Sequence, residues 1–188
     1  MHRSTLLLTG ALVLGAAAAP QITPKTPLTP QPRLTPRPLL TPAAGCRVDP
    51  AITAITLTKV GGSKERITVG FEVVNQGRSA WSSGPGQQTV SLKVRNGNTG
   101  REFTASRPLP ERAAAGGRMV SFTSPVIPNA FDTFEFGGTV DVRIGYDPDI
   151  AIDSRPCNND ANASNNHRQV TTRQVNGFLN ATASTQRF

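Results

Sequence analysis

Between residues 50 and 174 apolar and polar side chains trade places at every second position, and that period constrains the fold more than any other feature of the chain. Ile67, Val69, Phe71 and Val73 fall on one side of an extended backbone, with Thr68, Gly70, Glu72 and Val74 on the other. Val90, Leu92 and Val94 alternate with Ser91, Lys93 and Arg95; Val140, Val142, Ile144 and Tyr146 alternate with Asp141, Arg143 and Gly145. Successive side chains of a strand point to opposite faces, so each stretch buries one face and wets the other. Weaker stretches at 51–59, 101–106, 118–123 and 167–174 bring the expected strands to seven. Turn-rich sequences separate them, among them Asn75-Gln76-Gly77, Asn96-Gly97-Asn98, Gly116-Gly117 and Gly137-Gly138. No helical period is present. Seven short alternating strands predict an all-β chain of two antiparallel sheets packed face to face. The alternation slips between Ile52 and Ile55, which a β-bulge in the first strand would explain.

The chain of 188 residues also carries segments outside this domain. Arg3 supplies a positive start, Leu6 to Leu14 a short apolar run, and Ala16 to Ala19 small residues suited to a signal peptidase. Residues 1–19 read as a secretory leader, cleaved near Ala18, with a retained N-terminal anchor as the alternative. The run is shorter than the roughly 20 residues a membrane helix needs, and no transmembrane segment is expected in the mature chain. Residues 20–45 form a Thr/Pro-rich spacer with an internal repeat: Leu28-Thr29-Pro30-Gln31-Pro32-Arg33 is echoed by Leu34-Thr35-Pro36-Arg37-Pro38-Leu39. Each Pro fixes φ and removes a hydrogen-bond donor, which excludes helix and inner strand and favours polyproline II. Fully extended, the spacer reaches about 75 Å at roughly 3.1 Å per residue, a stand-off distance. The domain is expected over 46–175, and residues 176–188 read as a polar, frayed tail in which Phe178, Leu179 and Phe188 have no assigned docking place.

Charge placement narrows the partners. The formal net charge is +8, but the spacer holds three of the basic residues and no acid, and residues 46–175 carry 15 basic side chains against 12 acidic ones. A nucleic-acid reader shows a basic patch with interleaved aromatics, whereas this chain scatters its charges and has one Trp and one Tyr. Nucleic acid is therefore excluded as the expected partner. The basic spacer could touch anionic envelope polymers by Coulomb attraction. Two cysteines, Cys46 and Cys157, are a disulfide candidate by default in an exported chain. Zinc fits poorly, since the mature chain has one His and no close Cys pair. Ala43-Ala44-Gly45-Cys46 looks like the end of a lipoprotein signal, but the Pro-rich stretch separates it from the apolar run that such a signal must follow.

Three motifs together resemble a bacterial family. Val73-Val74-Asn75-Gln76-Gly77 resembles the V-x-N-x-G end of the second strand in CARDB domains, the cell-adhesion-related module of bacteria. Leu109-Pro110 through Gly116-Gly117, then Val120-Ser121-Phe122, resembles that family's L-x-P-G turn and following strand, with Ala113-Ala114-Ala115-Gly116 in place of Pro-Gly. Val142 through Asp147-Pro148-Asp149, Ile152-Asp153, Asn158-Asn159 and Asn165-Asn166 resembles its final hairpin, with Asp153 where Glu is common and an insertion that includes Cys157. The resemblance spans roughly 49–170. It implies an immunoglobulin-like, seven-stranded antiparallel β-sandwich and a surface-binding or spacer role, and it brings no shared catalytic residues. In such a sandwich the first strand starts at the same end as the loop joining strands six and seven. Cys46 and Cys157 would then bridge that loop to the start of the domain, with free thiols as the alternative.

Chemistry-bearing residues are sparse. His167 is the sole mature imidazole, and no Gly-x-Ser-x-Gly turn accompanies it. The loop 147–166 gathers Asp147, Asp149, Asp153 and Asp160 with Asn158, Asn159, Asn162, Asn165 and Asn166. Oxygen ligands of this kind suit calcium, yet the EF-hand pattern is absent and Asp and Asn equally build turns. Trp81, between strands two and three, reads either as an exposed anchor or as a cap on the open end of the core. The expected ligand-binding end therefore carries Trp81, Asp147, Asp149, Asp153, Asn158, Asn159 and Asp160. The expected function is an exported, non-catalytic module that binds protein or an envelope polymer, in the periplasm or at the cell surface. A carbohydrate-binding module and a secreted hydrolase are the alternatives; the first needs exposed coplanar aromatics and the second a cleft of convergent polar groups. Nothing in the sequence specifies the oligomeric state.

Overall fold

The computed structural model describes residues 46–146 and 155–188; the leader, the spacer and Asp147, Asp149 and Asp153 lie outside the described residues. The first half of the domain runs through β1 (Pro50–Lys59), β2 (Arg66–Asn75), β3 (Trp81–Ser82), β4 (Gln88–Asn96) and β5 (Glu102–Pro108). The second half runs through β6 (Arg112–Ala113), β7 (Arg118–Thr123), β8 (Ile127–Pro128), β9 (Gly138–Tyr146), β10 (His167–Val170), α1 (Thr172–Asn180) and β11 (Thr185–Arg187). Among the described residues, each of the seven expected stretches overlaps one strand of four residues or more, and the other four strands are of two or three residues.

Two antiparallel sheets form the domain. One has the order β11-β1-β2-β7, with β8 also on β2, and the other the order β10-β9-β4-β5. A two-stranded ribbon, β3-β6, covers one end. The alternation decides which side chains meet between the sheets. Ile55, Leu57, Val69, Phe71 and Val73 come from the first, and Val90, Leu92, Val94, Val140, Val142 and Ile144 from the second, all buried in one cluster. Removing each such aliphatic side chain from water contributes roughly 1.5–3 kcal/mol, so this interior is the main source of stability. The slip in β1 is a register shift between Ile52 and Ala54 against β2, and it keeps both Ile52 and Ile55 inside.

The C-terminal residues are docked, not frayed. Strand β10 stops at Val170 because Thr171 caps a helix: its Oγ accepts from Gln174 N at 3.5 Å while Gln174 Oε1 accepts from Thr171 N at 2.9 Å. Spacing of three and four residues then turns Val175, Phe178 and Leu179 to one buried side. Lys59, at the end of β1 and 6% exposed, donates from Nζ to Ala181 O at 2.6 Å and lies 4.9 Å over the Phe178 ring. The cation thereby meets the negative end of the helix. Beyond it, β11 pairs with β1, and Phe188 exchanges backbone hydrogen bonds with Ile55 at 3.1 and 2.8 Å. This added strand covers part of an otherwise open sheet edge.

Candidate functional site

The end of the sandwich where Asp147–Asn166 was expected to form a site is built around Asn75. Its side chain is buried at the close of β2. Its Oδ1 accepts from Asp49 N and Gly77 N, each at 3.1 Å, and its Nδ2 donates to Ser79 O at 2.8 Å and Ala114 O at 3.2 Å. One amide thus ties together the start of the domain, the turn after β2 and the turn before β7. Gly77 fits beside it because it has no side chain: a Cβ there would stand 2.2 Å from Arg47 O.

Cys46 and Cys157 form a disulfide that closes a sequence separation of 111 residues. It holds the segment before β1 against the segment before β10. Val48 makes a parallel bridge to Asp160, and Ala161 N donates to Val48 O at 2.9 Å. Cys157 itself lies within the 3-10 turn Pro156–Asn158, just before this attachment.

Of the residues expected to bind a ligand here, Trp81, Asn158 and Asp160 are taken up by contacts within the fold, and Asp147, Asp149 and Asp153 lie outside the described residues. Trp81 is 1% exposed, and its Nε1 donates to Pro110 O at 2.9 Å; it closes the core and is not an exposed anchor. Asn158 is buried and donates from Nδ2 to Ser83 Oγ at 3.4 Å, with Asn159 half-buried beside it. Asp160 accepts from Tyr146 OH at 3.0 Å, from Asn166 Nδ2 at 2.6 Å and from Asn162 N at 2.9 Å. Burial pushes the Asp160 carboxyl above the usual carboxylate range, although these three donors oppose the shift. Burial, with the neighbouring carboxylate of Asp160, also pushes the Tyr146 hydroxyl well up. Asn165 donates to Asp49 Oδ1 at 2.8 Å. A carboxylate ringed by three donors presents hydrogens where a calcium ion needs lone pairs. Among the described residues no three His, Cys, Asp or Glu side chains gather as a metal site.

A different surface brings unsatisfied charge together. The outward side chains of the β10-β9-β4-β5 sheet are polar throughout: Thr89, Ser91, Lys93 and Arg95 on β4, Thr139, Asp141 and Arg143 on β9, Glu102, Thr104 and Ser106 on β5, His167 and Gln169 on β10. Ser91, Lys93, Arg95, Glu102, Thr139, Asp141, Arg143 and Gln169 line a shallow depression of about 550 Å³. Two acids on this face are already engaged. Asp141 lies 2.9 Å from His167 Nε2 and accepts from Gln169, and Glu102 pairs with Lys93 at 3.2 Å. Arg95 and Arg143 have no acidic partner among the described residues. Arg143 stands opposite Ser91, two residues before Lys93, and Arg95 follows two residues after it. Outward neighbours on one strand are about 7 Å apart, so the three cations form a stepped stripe across β9 and β4. Sequence reasoning passed over this stripe because its charges are separated along the chain and only the β4–β9 register joins them. The alternation itself, with Lys93, Arg95 and Arg143 all at outward positions, was the available signal.

No family model, curated protein or solved structure matches this chain. Among the described residues no helix is long and apolar enough to cross a membrane.

Proposed function

We propose that this chain is an exported, non-catalytic binding or structural module of the bacterial envelope, an immunoglobulin-like domain of the CARDB kind carried on a Pro-rich spacer. Its partner is an anionic envelope polymer laid across the outer face of the β10-β9-β4-β5 sheet. The observation that carries this reading is the stripe Arg143, Lys93, Arg95, in which Arg143 and Arg95 form no ion pair among the described residues, although Glu102 stands opposite Arg95 in the register. Hydroxyl and amide side chains around it supply the hydrogen bonding a polar chain requires. The division of strands supports the immunoglobulin-like reading: β1, β2 and β7 share one sheet and β4, β9 and β10, with β5 at the edge, the other, as an A-B-E and C-F-G division would require. The disulfide supports export, because such bonds persist in oxidising compartments. Carbohydrate recognition by aromatic stacking loses its two named residues, since Trp81 is buried and Tyr146 is half-buried against Asp160.

Retention of the exported chain on immobilised envelope extract tests the proposal. Arg95→Glu/Arg143→Glu, both at exposed positions, should abolish retention, as should raised salt, while protease treatment of the extract should leave it intact. Unchanged retention of the double variant removes the face from consideration. Loss of retention after proteolysis makes the partner a protein and overturns the polymer assignment.

A further inference from the structure

The end of the sandwich opposite the disulfide displays an aromatic that the fold leaves in water. Phe134 is 95% exposed and Phe136 53% exposed in the segment between β8 and β9. Most large apolar side chains of the described domain are buried, so a nearly bare phenyl ring calls for an account. The backbone that presents it is tied down. Asp132 Oδ1 accepts from Phe134 N at 2.8 Å and Glu135 N at 2.9 Å. Asn176 of α1 donates to Glu135 O at 3.2 Å, and Gly137 O accepts from Gly97 N and Asp132 N. The ring is therefore held out on a fixed turn, which lowers the entropy lost when it is buried by a partner.

Close by in the chain lies a matching recess. Residues just before the Phe134 turn, Val126, Ile127, Pro128 and Ala130, join Val94 and Phe103 around a pocket of about 180 Å³. A cavity of roughly 150 Å³ with apolar walls accepts benzene, so this volume accommodates a phenyl ring. Charge agrees with shape. Arg101 stands at the pocket beside Glu102, whose charge is taken by Lys93 at 3.2 Å, and Glu135 stands beside Phe134; Arg101 and Glu135 are exposed and neither side chain is engaged by another among the described residues. One segment, 126–136, thus offers both a plug with a negative neighbour and the wall of a socket with a positive one. A surface that holds both halves of a contact is what a two-fold, self-complementary interface requires.

We infer that two copies of this chain associate through this end, each placing Phe134 in the pocket of the other and Glu135 against the other's Arg101. The pocket shares Glu102 with the depression on the outer sheet face but not Arg143, Lys93 or Arg95, and the pairing stands independently of the polymer assignment. It also gives each assembly two polymer-binding faces, which raises avidity without new contacts on the polymer.

Sedimentation equilibrium of the exported chain over a wide concentration range tests the pairing. The wild type should dimerise reversibly. Phe134→Ser should weaken association at least tenfold, with thermal unfolding unchanged at dilutions where both proteins are monomeric, because the ring is 95% exposed in the monomer. Arg101→Glu and Glu135→Arg should each weaken it, and the two reversals combined in one chain should restore it. A wild type that stays monomeric at several hundred micromolar overturns the inference, as does Phe134→Ser dimerising like the wild type, or charge reversals that fail to rescue each other. Sedimentation of a monomeric wild type with phosphatidylglycerol vesicles, lost in Phe134→Ser, assigns the ring to a lipid surface and equally overturns the pairing.

Discussion

Replacing Asn75 tests how the disulfide end is held. Asn75→Ala removes four hydrogen bonds from a fully buried site: Asp49 N and Gly77 N lose their acceptor, Ser79 O loses a donor, and Ala114 O keeps its bond from Gly117 N at 3.0 Å. A single intramolecular bond contributes roughly 1 kcal/mol net, and each buried polar group left unpaired costs about 1–3 kcal/mol. The contributions overlap, because the emptied space admits water to some of the four groups, so about 4 kcal/mol is the expected loss. With a urea m-value of roughly 2 kcal/mol/M for a domain of this size, the unfolding midpoint should fall by about 2 M with the slope unchanged. Asn75→Asp sharpens the test. The carboxylate keeps the two accepting contacts but faces the carbonyl oxygens of Ser79 and Ala114 with no hydrogens to give, so it should be at least as damaging at neutral pH and should recover in part once acid protonates it. Urea titration followed by circular dichroism reads both. A midpoint shift below about 0.5 M for Asn75→Ala would show that the amide is not the tie described here.

Other consequences follow from separate parts of the molecule. Replacing both Cys46 and Cys157 by Ser frees a loop of 111 residues in the unfolded chain, which costs up to roughly 4–5 kcal/mol by chain entropy, read as a lower denaturation midpoint of the doubly substituted protein. Phe178→Ala should cost about 3–5 kcal/mol and unmask amide exchange in α1 and β11 before the rest of the sandwich, since the ring anchors both to β1 through Lys59. Asp160 has its folded pKa raised above its ordinary 3.8, so the stability it contributes is fully present below that value and is lost as pH rises through the folded midpoint. The stability of the wild type minus that of Asp160→Asn, followed by urea unfolding, should therefore fall as pH rises from about 3 and then level off; a difference that grows with pH contradicts the assignment.

Much of the fold was legible from periodicity alone because both sheets bury one face and wet the other. The slip at Ile52–Ile55 announced the bulge for the same reason: only an extra residue lets both side chains point inward. The disulfide was expected from two cysteines in an exported chain, and its place from the strand order that the family resemblance implies. Trp81 was undecidable, since its acceptor, Pro110 O, arrives from 29 residues further on, and burial of an indole depends on such a partner. The helix was missed although Thr171-Thr172-Arg173-Gln174 is a capping box in plain sequence. Reading the last strand through to residue 174 absorbed the cap, and the residues from Asn176 then read as a polar tail. Asp160 and Asn158 looked like ligands because a ligand set and a hydrogen-bonded turn use the same residue types; only the directions of their donors distinguish the two. The outer stripe depends on register between β4 and β9, which alternation constrains to the correct face but not to the correct partner.

The account stands most directly on the electrostatic character of the outer sheet face. Titration of the exported chain with a purified anionic envelope polymer at several salt concentrations measures it. On a flexible polyanion each neutralised charge contributes roughly 0.7 to the slope of log affinity against log salt, so a stripe of three cations predicts a slope of about −2. Arg95→Glu/Arg143→Glu should bind too weakly to titrate, at unchanged thermal stability. An affinity indifferent to salt, or one that the double substitution leaves intact, would contradict the assignment of this face.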